Sequence, residues 1–420
     1  MVIGKLIEQG QLSYQEIYDI SAQALSKIPL TDRRVLVIIP DHTRQAPIDL
    51  FFKVIFDIIG RQVRTLDYLI ALGTHPPMSE ERILDLVGIT AEDHKQKYAK
   101  VRFFNHIHNN PEELSVIGEI PADEIFRISK GLLQEELKIT VNKHIFDYDL
   151  LIILGSIVPH ESVGFSGGNK CFFPGIAGAE IIHFLHWLGA VITNPVINGV
   201  KHTPVRKLLD RAAAFIDVER LCFSFVVNGD GLACLFIGPP EESWEKAVDL
   251  SAKYHIVYKD KPYRRVLGVA PGRYEDLWVG GKVMYKLETV VADGGELIIY
   301  APHIRDISFI HGRIIQQVGY HVRNYFIGQW ERFSSIPRLI LAHSSNVKGI
   351  GNFENGIESP RINVTLATGI SREICQQVNL GYMDPRSVDL SRWGDREGDG
   401  ILLVENAGEI LYRLKNFLIK

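Results

Sequence analysis

Along this chain, short apolar runs alternate with segments whose apolar positions recur at helical spacing. Val35 to Ile39 is an apolar run that stops at Pro40 and delivers Asp41, His42, Thr43 and Arg44. The segment IDLFFKVIFDIIG that follows carries the helical period. Arg64 to Leu72 reads as a second strand, ending in Gly73-Thr74-His75-Pro76-Pro77. Ser79, followed by Glu80 and Glu81, has the chemistry of a helix N-cap. Lys100 to Asn105 reads as a short strand and Lys138 to Ile145 as an extended segment. Leu150 to Val158 is an apolar run rich in Leu and Ile, as expected of a strand buried on both faces of a parallel sheet. A loop with Gly164, Gly167, Gly168 and Lys170 follows, and AGAEIIHFLHWLGAVI then reads as a helix.

Repeated strand, loop and helix units predict an α/β fold with mainly parallel sheets. Further on, Arg206 to Phe215 reads as a helix, and Leu221 to Val227 and Ala233 to Ile237 as strands. The polar YKDKPY, Tyr258 to Tyr263, marks a boundary. It divides a first α/β domain, 1–260, from a second, 261–420, with the active site in the cleft between them. In the second, GGELIIYAP, PRLILAHSS, RINVTLATG and DGILLVEN read as strands. EILYRLKNFL reads as a closing helix, and residues 1–30 as helical and peripheral.

Composition narrows the function classes. The formal net charge is -4 over 420 residues, and no basic run is interleaved with aromatics, so nucleic acid is not the expected partner. No apolar run is long enough to span a bilayer, and the N-terminal residues lack the apolar core of a signal peptide. The 4 cysteines are dispersed without a CxxC pair, which argues against a cysteine metal site and suits a reducing cytoplasm. A soluble cytoplasmic enzyme is the expectation.

The polar residues at strand ends carry the candidate chemistry. In parallel sheets, ligands sit at the carboxyl ends of strands. Asp41 and Arg44 follow one strand, His75 a second, and His160 and Lys170 a third. Imidazoles suit acid/base work near neutral pH. Arg44 and Lys282 are cations able to hold a carboxylate. The loop GFSGGNK fails the Walker pattern, because Asn169 precedes the lysine and Cys171 follows it. His183 and His186 lie three apart on one helix. A metal hydrolase, zinc-dependent and built on Asp41, His75, His160 and His186, is an alternative. A non-catalytic homologue is another.

Taken together, DHTR (Asp41 to Arg44), GTH (Gly73 to His75), PHESVGFSGGNKCFFPGI (Pro159 to Ile176) and a histidine sixteen residues beyond the lysine resemble the nickel-dependent lactate racemase family. The resemblance covers essentially the whole chain. It implies a nickel-pincer nucleotide, a pyridinium-3,5-bisthiocarboxylic acid mononucleotide carrying Ni, tethered to Lys170 and supplied by dedicated biosynthetic enzymes. It also implies cofactor contacts from Asp41, Gly167 and Gly168, a nickel ligand in His186, and acid/base roles for His75 and His160. Arg44, Lys282 and Trp278 are implied at the substrate. The implied reaction is inversion at Cα of a 2-hydroxy acid, by racemisation or epimerisation. Family members carry a Tyr-Gln pair before the second-domain lysine, where this chain has Trp278-Val279 and two glycines. That departure implies a substrate that is lactate-like or larger, an aldonate epimerised at C2 among the candidates.

Overall fold

A computed structural model describes residues 1–417; residues 418–420 lie outside the described part. The chain forms two compact units. The first comprises 1–158, 166–182 and 206–254; the second comprises 159–165, 183–205 and 255–420. Two short segments from the middle of the chain thus join the C-terminal residues.

The first unit is built on a seven-stranded sheet. Its strands are β1 (Ile3–Leu6), β2 (Arg34–Ile39), β3 (Thr65–Ile70), β4 (Phe103–Asn105), β5 (Leu150–Ser156), β6 (Glu219–Asn228) and β7 (Gly231–Gly238), in the order β1-β7-β6-β5-β2-β3-β4. From β6 to β4 all neighbours are parallel. The β6–β7 hairpin and β1 close one edge in antiparallel fashion. The N-terminal residues were expected to be helical throughout. Instead Ile3–Leu6 pairs with the edge strand, and helix α1 begins only at Tyr14 (Tyr14–Leu25), with Ser13 and Glu16 forming a capping box.

Central strands β2 and β5 are fully buried except at their ends, as their apolar runs require. Helix α2 (Ile48–Ile59) buries Phe51 and Phe52 on this sheet. Phe51 packs edge-on to Phe223 at 5.9 Å and against Phe225 at 4.9 Å, both on β6. Ser79 caps α3 (Glu80–Val87) by accepting from the Arg82 N–H. After β5 and its glycine-rich loop come α4 (Ala179–Ile192), α5 (Pro204–Ala213) and α6 (Pro240–His255).

The second unit carries a five-stranded, all-parallel sheet. Its strands are β8 (Tyr263–Val269), β9 (Val291–Ala301), β10 (Asn363–Thr368), β11 (Gly381–Tyr382) and β12 (Ile401–Val404), ordered β11-β10-β9-β8-β12. The mainly parallel α/β class is therefore as expected. Two elements differ. PRLILAHSS is not a strand but the start of helix α7 (Arg338–Lys348), buried from Leu339 to Lys348. A helix buried all round has no polar stripe, so a short apolar run cannot be told from a strand by its period. The tail is not a helix: Leu411–Leu414 is a strand pairing in parallel with Ile256–Lys259, and Leu418 of the expected helix lies outside the described residues.

The Phe51 cluster supplies a test of the first core. Phe51→Ala is expected to cost about 3–5 kcal/mol, the usual range for a buried aromatic. Urea denaturation measures it. A cost below about 1 kcal/mol would contradict the packing described.

Candidate active site

In the first unit, β5, β2 and β3 are adjacent and parallel, so their carboxyl ends lie side by side. β2 ends at Pro40 and places Asp41, 4% exposed, just beyond. β3 ends before Gly73, whose positive φ of 56° turns the chain. Its N–H donates to the Gly175 carbonyl at 2.9 Å. His75 then meets Asp41: Nδ1 and Oδ2 are 2.5 Å apart. The other carboxylate oxygen accepts from the Thr43 N–H at 3.0 Å and the Thr43 hydroxyl at 2.6 Å. Burial pushes the Asp41 carboxyl up, but His75, Arg44 and Thr43 outweigh it and hold the group well below the usual carboxylate range. An ionised Asp41 accepts the Nδ1 proton of His75 and leaves Nε2 as the basic nitrogen.

Lys170 sits in the single turn Gly168–Cys171. Gly167 and Gly168 have φ of 76° and 60°, open to glycine at little cost. A Cβ on Gly167 would lie 2.8 Å from Ile157, so side chains are excluded there as well. The loop is fastened from α5 and α6. Arg206 Nη1 donates to the Gly167 carbonyl at 3.1 Å, and Trp244 Nε1 donates to the Ser166 carbonyl at 2.8 Å. The Arg206 guanidinium lies 4.3 Å from the centre of the Trp244 ring. Asn169 donates to both Asp210 and Glu241, at 3.0 and 2.6 Å. Arg206 is 3% exposed, and burial lowers its pKa to about 10. Lys170, Arg206 and Arg44 all bear on the Cys171 thiol, which burial pushes up to about 12. Three cations therefore gather around the loop, a setting that suits a phosphate.

In the second unit, Pro159–His160 forms a two-residue strand pairing with Gly164–Phe165. Gly164 has φ of 93°, and a Cβ there would fall 2.0 Å from the Val200 carbonyl oxygen. Only glycine closes this turn. His160 is 5% exposed. Its Nδ1 accepts from the Ser162 N–H at 3.2 Å, which assigns the proton of the neutral ring to Nε2. The Glu161 carboxylate lies 3.4 Å from the same nitrogen. The buried Lys286 donates to the Pro159 carbonyl, fixing the residue before His160.

His183 and His186 both lie partly exposed on α4. His186 bears electrostatically on His343, a buried residue of α7 whose pKa burial lowers to about 3. His343 accepts or donates at Tyr285 Oη, 2.8 Å, and Tyr320 Oη, 3.3 Å. Its ring stacks on Trp278 at 4.1 Å, and His311 covers Trp278 at 4.5 Å. Lys282 lies 4.9 Å from the Tyr274 ring centre. Arg273 and the Tyr274 hydroxyl reach Glu409 at 2.8 and 3.0 Å. Burial pushes the Glu409 carboxyl up, yet Lys282, Lys286 and Arg273 pull it down to about 2.

Asp41, Arg44 and His75 thus meet in one unit, with Lys170 in its fastened loop. His160, His186, Trp278 and Lys282 belong to the other. Reading the sequence missed Arg206, Asn169, His343 and Glu409. Arg206 had been read only as part of a helix, and His343 fell in the segment read as a strand. Glu409 had no motif around it. Among the described residues, no three His, Cys, Asp or Glu side chains gather to hold a metal ion. The cations around Lys170 would suit a nucleotide phosphate, and the partly exposed imidazole of His186 would suit a metal ion.

Residues 16–197 match the lactate racemase N-terminal domain. The lactate racemase of Thermoanaerobacterium thermosaccharolyticum is 26% identical over 294 residues, 67% of this chain and 63% of that protein. The lactate racemase of Lactiplantibacillus plantarum is 29% identical over 209 residues, 46% of this chain and 44% of that protein. The chain thus spans less than two thirds of the length of either relative. A crystal structure of a Thermotoga maritima protein superposes with a TM-score of 0.90 at 32% identity, covering 97% of this chain and 100% of that one. The lactate racemase apoprotein from T. thermosaccharolyticum shares the fold, with a TM-score of 0.72 at 19% identity, covering 97% and 95%.

Glu409 gives a pH prediction. Its folded pKa is depressed, so its stabilisation is present above the ordinary value of 4.5 and is lost as pH falls toward 2. Glu409→Gln is expected to lower stability at pH 7 by on the order of 3 kcal/mol and to flatten acid destabilisation between those pH values. Denaturation midpoints measured from pH 7 to pH 2 check it; equal slopes in both chains would contradict the assignment. The chain thus carries, over residues 16–197, a segment similar to the lactate racemase N-terminal domain, and the strand-end and loop motifs lie within it.

Proposed function

We propose that this protein is an isomerase that inverts the Cα stereocentre of a 2-hydroxy acid, using a nickel-pincer nucleotide. The observation that carries this reading is the opposite proton placement of two histidines. Asp41 leaves His75 with a basic Nε2, and the Ser162 N–H leaves His160 with a protonated Nε2. Inversion through a planar 2-oxo acid needs one group that takes the hydroxyl proton and another that returns it from the opposite face. His75 and His160 would supply one of each.

The remaining residues fit supporting roles. Lys170, on a loop held by Arg206, Trp244 and Asn169, tethers the cofactor, and His186 supplies a nickel ligand. Gly167 and Gly168 let backbone approach it closely. When bound, such a group supplies a hydride acceptor and donor, the step that side chains cannot perform. Arg44 and Lys282 anchor the substrate carboxylate. Glu409, ion-paired to Arg273, keeps a negative charge beside Lys282 that favours its charged form. Lys286 fixes the backbone at His160. Trp278, held between His311 and His343, gives the substrate side chain a rigid aromatic wall. A cytoplasmic location and a cofactor made by partner enzymes complete the reading. Lactate-like and larger acids, aldonates included, are the substrates to screen.

An isotope experiment separates hydride transfer from proton abstraction. A 2-hydroxy acid deuterated at Cα, racemised in ordinary water, should keep its label in both enantiomers. Washout into solvent would refute the proposed chemistry. His75→Ala and His160→Ala should each lower kcat by about 100-fold or more, as loss of a general base or acid does. Full turnover in either variant would remove that histidine from the mechanism. Across a panel of acids, lactate turning over far faster than any longer acid would contradict the larger-substrate reading.

A further inference from the structure

The second unit holds a cavity of about 420 Å³ that none of the roles above uses. It is lined where α4 ends, by α7 and by the loop after it. Four features converge there. The first is Arg323, partly buried, which among the described residues donates to the Val191 carbonyl and to its neighbour Asn324. Its pKa is lowered by burial alone, and among the described residues no carboxylate offsets the charge. A buried cation is costly unless an anion meets it. The second is Arg361, whose buried Nε has no partner among the described residues while its other nitrogens reach Val291, Asp293 and Glu288.

The third feature is Thr193. Its φ of 91° is rare for any residue with a Cβ and rarer for a β-branched one. Its buried hydroxyl also has no partner among the described residues. Strain of this kind collects at ligand sites. The fourth is Glu288, 1% exposed, whose carboxylate accepts from the Ile350 N–H and from Asn194. Burial pushes this carboxyl up, against the pull of Asn194, Arg361 and the Ile350 N–H. Much of the remaining lining is amide and hydroxyl, including Asn346.

We propose that this cavity is a second ligand site, which binds a small oxyanion carrying hydroxyl groups, its anionic head on Arg323 and its hydroxyls on the asparagine amides. The volume suits a molecule of sugar-acid size. A carboxylate and a phosphate share the chemistry that a guanidinium fork recognises. The site uses no residue assigned above to cofactor, substrate or proton transfer, so it stands or falls apart from the proposed reaction.

Titration calorimetry of the full-length protein with gluconate, glucose 6-phosphate and sorbitol tests it, beside hydrogen exchange read by mass spectrometry. Gluconate, glucose 6-phosphate or both should bind, sorbitol should not, and protection should rise in 190–197 and 345–352. Which acid binds tells the carboxylate source from the phosphate source. Arg323→Gln should weaken binding at least tenfold. Because that change also removes the donor to Val191, Asn352→Trp on the exposed rim provides a second variant, which should block entry without touching the core. Arg44→Ala should leave this binding intact. The proposal is overturned if neither acid binds saturably, if sorbitol binds as well as the acids, if both rim and Arg323 variants bind as the parent does, or if protection arises only elsewhere.

Discussion

Parallel pairing of three neighbouring strands is the constraint on which the first unit's site depends. β2 is hydrogen-bonded to β3 on one side and to β5 on the other, in register from Arg34 to Ile39 and from Val35 to Ile38. Parallel strands end on the same edge of a sheet. The turn after each therefore opens on one rim: Asp41 after β2, His75 after β3, and the loop toward Lys170 after β5. A register slip of one residue would turn every buried side chain of β2 to the opposite face. Packing of Phe51 on Phe223 and Phe225 thus contributes indirectly to the placement of Asp41 against His75.

The loop around Lys170 shows the same logic at shorter range. Its conformation needs two glycines at positive φ, a backbone that costs entropy to hold. Contacts from outside the loop hold it: a buried guanidinium, an indole N–H and two carboxylates on one amide. Arg206 is itself steadied by stacking on Trp244, so the charge is neither solvated nor mobile. A lysine placed this way is presented at a fixed height, as a covalent tether requires. The second unit supplies its counterpart through Lys286 and Gly164, which fix the short hairpin carrying His160.

Much of this was legible in the sequence. Strand ends punctuated by Pro40, Gly73 and Pro159 announce themselves, because apolar runs and breakers are local signals. The N-cap at Ser79 is likewise local. Helix α7 was not legible, since burial from Leu339 to Lys348 erases the polar stripe that distinguishes a helix from a strand. With it went His343, which braces Trp278. The closing strand Leu411–Leu414 was also hidden, because its partner lies 155 residues earlier, Ile256 opposite Leu411. Arg206, Asn169 and Glu409 act through partners distant in sequence, and no spacing rule points to such contacts.

Intact mass and bound metal, recorded on one sample of protein made in cells that synthesise the pincer nucleotide, test the central claim most directly. The account predicts a covalent adduct and close to one nickel per chain, both lost in Lys170→Ala. An unmodified mass with no nickel, or an adduct that survives Lys170→Ala, would contradict it.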